Sequence, residues 1–235
     1  MPQDLHQRLE EVINATEPGG RLLSEPKLAG KLGVSRATLR EAMRIFETQG
    51  RLRRQQGVGT FALHPSQIIE SGLEVLESIE TLAEQIGLPV SMGDLKITGQ
   101  DANDDIAEKL ELQPGTDLLR VSRVIQAEGR PAAYLIDILP KTILSDEDVR
   151  NGFTGSVLDL LLKRGDPILG ISRCEIGAVA ANQEIARALN IQRGDSLLYF
   201  DSILYAEGGS PVDYSLSYFL PGQFKFHVVR RIRFT

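Results

Sequence analysis

Leu23-Ser24-Glu25-Pro26-Lys27-Leu28-Ala29-Gly30-Lys31-Leu32-Gly33-Val34-Ser35-Arg36-Ala37-Thr38-Leu39-Arg40-Glu41-Ala42 is the stretch on which the fold turns. Ser24 can cap a short helix, Pro26 is tolerated in its first turn, and Leu28, Ala29 and Leu32 form its buried stripe. Gly33 stands where a left-handed C-terminal residue is wanted. Ser35 can cap the next helix, in which Leu39, Ala42, Met43 and Phe46 share an apolar face and which Gly50 stops. The other face carries Arg36, Arg40 and Arg44 at i, i+4 and i+8, drifting only about 40° per step, so three guanidinium groups lie on one side. Two helices joined by a tight Gly turn, the second presenting arginine from its first turn onward, is the sequence form of a helix-turn-helix, a motif shaped for the major groove of DNA.

The flanks support this reading. Upstream, Leu5, Leu9, Val12 and Ile13 recur at helical spacing until Pro18-Gly19-Gly20 breaks the pattern. Downstream, Arg51-Leu52-Arg53-Arg54 and Val58-Gly59-Thr60-Phe61 flank Gln55-Gln56-Gly57, a short β-hairpin whose glycine tip can approach a DNA backbone closely. An isolated arginine stripe is usually a solvated helix face. Stripe, turn and basic wing together argue against that.

The charge is divided in the same place. Overall the 235 residues carry a net charge of −6, which by itself speaks against nucleic acid. Residues 1–64, however, hold 10 Lys and Arg against 7 Asp and Glu, whereas the remainder holds 16 against 25. DNA responds to the local arrangement of charge rather than to the total, so a basic N-terminal module precedes an acidic partner. At 42% hydrophobic and 25% charged residues the composition is that of a globular chain, with material for one large domain or two smaller ones. No apolar run approaches the roughly 20 residues of a membrane helix, so no membrane association and a cytoplasmic location are expected. The single cysteine, Cys174, cannot form an internal disulfide, and the scattered His6, His64 and His227 suggest neither a metal site nor a cofactor.

Beyond His64-Pro65-Ser66, residues 68–87 read as a helix with Leu73, Leu76, Ile79, Leu82 and Ile86 near one side and Glu70, Glu74, Glu77 and Glu84 outward, either a dimer seam or ordinary core. An internal repeat follows. Ile106-Ala107-Glu108-Lys109-Leu110 through Leu119 aligns with Ile185-Ala186-Arg187-Ala188-Leu189 through Leu198 at a constant offset of 79 residues. The alignment continues from Ala127-Glu128-Gly129 onto Ala206-Glu207-Gly208 and, after one inserted residue, from Pro131 and Tyr134 onto Pro211 and Tyr214. Each copy reads as short helix, Gly turn, strand, Glu-Gly hairpin turn, strand. Two such copies predict an α+β domain built on a pseudo-two-fold antiparallel sheet with its helices packed on one face. Between the copies, Ser156 can cap a further helix over residues 157–162.

The N-terminal residues carry a specific resemblance. Leu23 to Ala42 together with Gln56-Gly57-Val58-Gly59-Thr60-Phe61 resembles the winged-helix domain of the GntR family of bacterial transcriptional regulators. The resemblance implies base and phosphate contacts by Ser35, Arg36, Thr38 and Arg40, with Arg44 on the same face, and an approach by the wing tip at Gln56 and Gly57. Where the family commonly has Arg after Ser-Glu, this chain has Pro26, and Lys27 is expected to supply a phosphate contact instead. The remainder is similar to the UTRA domain, an effector-binding module with a chorismate-lyase-like fold found in the HutC branch of that family. That similarity rests on Asp105-Ile106-Ala107, Arg123, Leu139-Pro140, Ser156, Gly194 and Pro211-Val212-Asp213-Tyr214. It implies a small ligand lined by Arg123, Ser156, Arg173, Asp213 and Tyr218, with Tyr134, Asp137 and Glu175 nearby. Sugar-phosphate-binding members tend to carry a second Arg where Ile125 stands here, which argues against a phosphosugar. Alternatively, Arg123, Arg173 and Asp213 pair with one another at a sheet surface.

The expected partition is residues 1–64 as the winged helix-turn-helix domain, 65–74 as a linker and 75–235 as the effector domain. The expected function is a homodimeric, effector-controlled binder of double-stranded operator DNA, a repressor in the first instance. The alternative is an enzyme of chorismate-lyase-like fold carrying a DNA-binding module, but no Ser-His-Asp, Cys-His or metal constellation stands out, and fold alone confers no chemistry.

Overall fold

Three helices close the N-terminal core. Leu5, Leu9 and Ile13 of α1 (Pro2–Asn14), Leu28, Ala29 and Leu32 of α2 (Glu25–Leu32), and Leu39, Met43 and Phe46 of α3 (Arg36–Thr48) are buried against one another, each set spaced to occupy one helix face. The computed structural model describes residues 2–17, 19–48, 51–55, 57–62, 69–85 and 87–228. Gly50, Pro65 and Ile68, assigned above as a helix stop, a linker residue and a helix start, lie outside them. Gly33 ends α2 in the left-handed conformation, φ +65°, where only glycine is free of strain. Ser24 sits at the N-cap of α2 but its side chain makes no capping bond. The Ser35 hydroxyl, in contrast, accepts a hydrogen bond from the Thr38 amide at 3.1 Å and caps α3. The wing is an antiparallel hairpin of β1 (Leu52–Gln55) and β2 (Gly59–Ala62), with Arg21 bridging to Phe61 at its outer edge.

The segment expected to be one helix over 68–87 is two elements. β3 (Ile69–Gly72) pairs in parallel with β10 (Phe224–His227), and only α4 (Ile79–Gln85) is helical, with Ser78 capping it through the Thr81 amide at 3.0 Å. The apolar spacing that suggested a helix is real for Ile79 and Leu82, which are buried, but Leu73, Val75 and Leu76 are exposed. Pairing with a strand some 150 residues away overrides the local periodicity, as tertiary context commonly does.

The C-terminal sheet has six antiparallel strands in the order β4-β5-β6-β9-β8-β7. These are β4 (Val90–Asp101), β5 (Asp117–Ala127), β6 (Arg130–Pro140), β7 (Leu169–Ala180), β8 (Ser196–Ala206) and β9 (Pro211–Phe219). The repeat is visible in that order. β4, β5 and β6 lie in mirror sequence to β7, β8 and β9, with β6 and β9 meeting at the centre. Helix α5 (Asp104–Lys109) is capped by Asn103 and α8 (Gln183–Ala188) by Asn182, at the same 2.9 Å from side-chain oxygen to amide. Even the backbone strain repeats: Glu111 and Asn190, both non-glycine, stand at φ +54° and +53°.

One expectation about the layers is corrected. Helices α5 and α8 pack on one face through Ala107, Leu110, Ile185 and Leu189, but the opposite face is also covered, by α4 and by α6 (Asp146–Gly152) and α7 (Val157–Arg164) through Val149, Val157 and Leu161. The stretch aligned above contains α5 and α8, but at the same offset of 79 residues α4 falls on 158–164 within α7 and β4 falls on β7, so of these helices only α6 lies outside the repeat. The two halves of the chain touch where the Gln192 side chain donates to the Arg54 carbonyl at 3.0 Å and where the Arg130 guanidinium lies against Gly19.

Candidate DNA-reading surface and effector cavity

Helix α3 buries Leu39, Ala42, Met43 and Phe46, which turns Arg36, Arg40 and Arg44 outward. Ser35, Thr38 and Lys27 are exposed beside them, and Gly57 is exposed at the wing tip with φ +74° and open space around it. Gln56 lies outside the described residues. Sequence reasoning missed what organises this surface. Arg40 Nε donates to Glu25 Oε2 at 2.7 Å, and the same carboxylate is 3.9 Å from Arg36 and 3.8 Å from Arg54 of the wing. Glu25, in the first turn of α2, thus gathers cations from the third helix and the wing. Its place in the Ser-Glu pair was the available signal. Arg54 is shared with Glu47 at 3.2 Å, whose pKa is raised, chiefly by burial.

The second site lies on the face of the C-terminal sheet opposite α5 and α8. A cavity of about 550 Å³ is bounded by β5, β6, β9, β8 and β7 below, by α4, α7 and β10 at the sides, and by the connector from Gly72 to Ser78. At its floor the Arg123 guanidinium hydrogen-bonds the Asp137 carboxylate, both side chains being buried. The guanidinium carbon also lies 5.7 Å from the Phe153 ring centre. Asp213 accepts a hydrogen bond from the Ile138 amide at 3.1 Å, while burial, followed by the neighbouring Asp137, holds its pKa well above the usual carboxylate range. Ser156 is buried and caps α7 through the Asp159 amide at 3.0 Å. Asp159 in turn accepts from Ser78 at 2.7 Å, which ties α7 to the start of α4.

Of the eight candidate effector residues, Arg123, Asp137, Ser156 and Asp213 line this cavity. Tyr134, Tyr218, Arg173 and Glu175 do not. Tyr134 and Tyr218 project from the other face of the sheet, where Tyr134 donates to Glu184 at 2.8 Å and the Tyr218 ring lies 5.1 Å from Tyr199. Arg173 and Glu175 pair with each other at 2.9 Å on the exposed edge strand β7. The physical reason is the two-residue period of a strand: Tyr134 is three positions from Asp137 and Tyr218 five from Asp213, so neither pair can share a face. Arg123 and Asp213 have Asp137 between them, and Arg173 is not part of the group. The cavity also contains residues that the sequence reading passed over, among them Glu80, Ser202, Ser215 and Ser217. Strand parity with Asp137 and Asp213 was the signal for the serines.

A basic recognition helix with a wing, joined to an acidic domain that encloses a small-molecule cavity, defines a ligand-responsive DNA-binding protein. Residues 3–62 match the bacterial regulatory proteins of the gntR family and residues 85–225 match the UTRA domain. The chain belongs to the GntR family, in its HutC/UTRA branch, and is a transcriptional regulator rather than an enzyme. It is 26% identical over 199 residues to the HTH-type transcriptional regulator YurK of Bacillus subtilis, covering 85% of this chain and 81% of that one. It is 26% identical over 206 residues to the histidine utilization repressor of Pseudomonas putida, covering 84% and 80%. Among solved structures, PhnF from Mycobacterium smegmatis superposes with a TM-score of 0.64 at 19% identity, over 97% of this chain and 100% of that one, a likeness of fold.

Proposed function

We propose that this regulator is a cytoplasmic homodimeric repressor divided as 1–64, 65–74 and 75–235, in which Ser35, Arg36, Thr38, Arg40 and Arg44 read or hold operator DNA in the major groove. Lys27 contacts phosphate, and the wing tip at Gln56 and Gly57 approaches the backbone. Arginine can donate bidentately to guanine O6 and N7, and the hydroxyls suit phosphate or base edges. Two such helices must stand about 34 Å apart to meet successive major grooves. An effector held by Arg123, Asp137, Ser156 and Asp213 that favours one domain arrangement changes this spacing, and DNA affinity follows occupancy. Repressor names among the relatives support the repressor reading.

The observation that carries the coupling is the position of residues 72–78. The segment leading from the N-terminal domain is itself a wall of the cavity, so an occupant touches the chain whose other end holds the recognition helix. The test is a titration of the full chain against the best duplex recovered from a random-sequence selection, with competitor DNA and varied salt. Specific binding is expected to exceed non-specific binding by about 10³ or more. A ratio near one would remove the operator reading. Sedimentation at the concentration used for DNA binding decides the dimer.

A further inference from the structure

We propose that the ligand selected by the C-terminal cavity is an organic cation bearing hydroxyl groups, a hydroxylated amine rather than a phosphate ester or a carboxylate. The inference rests on the reading of this cavity as the effector site, and it names the chemistry of the occupant.

Charge is the first argument. Four carboxylates, Glu74, Glu77, Glu80 and Asp137, line the cavity against a single basic side chain, Arg123, and the Asp213 carboxyl beside them is one whose anion burial disfavours. That arginine is already engaged by Asp137, and the position two residues along β5 on the same side of the strand is the apolar Ile125, buried in the core with Ile79 and Leu82. An entering phosphate would meet a guanidinium already neutralised and a surround of carboxylates, whereas an ammonium group would meet a field of the right sign.

Unsatisfied hydrogen bonding is the second. Both carboxylate oxygens of Glu80 are buried with no side-chain donor. Burial raises the Glu80 pKa, with Arg123 and its own backbone amide opposing the rise. A buried acceptor pair of this kind gains most from a charged donor, because charge-assisted hydrogen bonds are the strong ones.

The third argument is the remaining wall. Ser202 and Ser215 stand opposite each other across β8 and β9, with Ser217 one alternation further, a row of hydroxyls suited to a hydroxylated frame. Beside them, Phe200 and Phe219 continue the same two strands and with Phe226 of β10 form a cluster with ring centres 4.8 to 5.1 Å apart. Aromatic rings beside carboxylates are the environment in which organic cations are held, since the ring faces attract positive charge while covering carbon.

The experiment is a thermal-shift titration of the full chain with ethanolamine, glucosamine, glucose, glucose 6-phosphate and inorganic phosphate at constant ionic strength. Ligand binding to the folded state alone raises the melting temperature. The two amines are expected to raise it more than glucose, and the two phosphates not at all. Glu80→Gln is expected to weaken the amine response roughly tenfold in apparent affinity, and Ser215→Leu, which fills the cavity, to abolish it. The melting temperatures of both variants without ligand report whether they fold. A phosphate compound that stabilises the chain more than either amine overturns the proposal while leaving the effector reading intact. Silence from both amines overturns it too. Silence from all five compounds, in a chain that still selects a duplex, counts in addition against the cavity as the effector site.

Discussion

Arg40 Nε donates to the Glu25 carboxylate at 2.7 Å, so the central arginine of the recognition helix is oriented by the helix before it. The pair is solvent-accessible, and exposed ion pairs contribute little to stability, about 0–1 kcal/mol; its consequence is orientation. Glu25→Gln is expected to raise affinity for scrambled duplex, because a negative charge leaves the phosphate-facing surface. Discrimination for the best duplex should fall, because Arg40 loses its orientation. Arg40→Ala is expected to weaken the best duplex by about 1–3 kcal/mol. Fluorescence anisotropy on the two duplexes measures both, and an unchanged ratio in Glu25→Gln means that the carboxylate does not position Arg40.

The buried Arg123–Asp137 pair makes a second prediction. Removing one member leaves an uncompensated buried charge, at a cost of about 3–5 kcal/mol. Arg123→Ala is therefore expected to lower thermal stability markedly, and the Arg123→Ala, Asp137→Ala double variant to recover part of the loss. Calorimetry of the four chains completes the cycle. Additive losses would show that the two side chains do not stabilise each other.

Asp213 links stability to pH. Its carboxyl titrates well above the usual range in the folded state because burial, and then Asp137, disfavour the anion. A folded-state pKa above the unfolded value means that the folded chain holds the extra proton. The associated stability is full below the unfolded value, about pH 4, and is lost as pH rises through the folded value. Asp213→Asn keeps an acceptor for the Ile138 amide and carries no proton to lose. Its melting temperature is expected to fall less than that of the parent chain between acidic and mildly alkaline pH. Parallel pH profiles would place the titrating group elsewhere.

Gly57 supplies a fourth test. Its φ of +74° is unfavourable for a residue with a side chain, although the space around it is open. Gly57→Ala should cost stability on the order of 1–2 kcal/mol from backbone strain. It should cost more in DNA affinity, because a methyl group at the tip blocks close approach to a backbone. Equal losses in the folding and DNA titrations would confine Gly57 to a structural role.

What the sequence determined by itself is the part of this protein governed by near neighbours. The recognition helix, its Ser35 cap, the Gly33 stop and the outward arginines all follow from contacts three or four residues apart, and those are written in spacing. The repeat was legible too, because one backbone plan used twice demands the same caps and turns at Asn103 and Asn182. Tertiary structure alone decided the rest. β3 exists because β10 offers it hydrogen bonds from the far end of the chain. Arg54 reaches Glu25 only once the wing folds back. Glu80 enters the cavity because the connector is laid against the sheet. Tyr134 and Tyr218 lie on the other face of the sheet for a related reason. The family resemblance implied one pocket for them all, but the direction of a strand side chain depends on alternation and on which face the covering helices occupy. Such placement arises from pairings across long separations, to which local periodicity is blind.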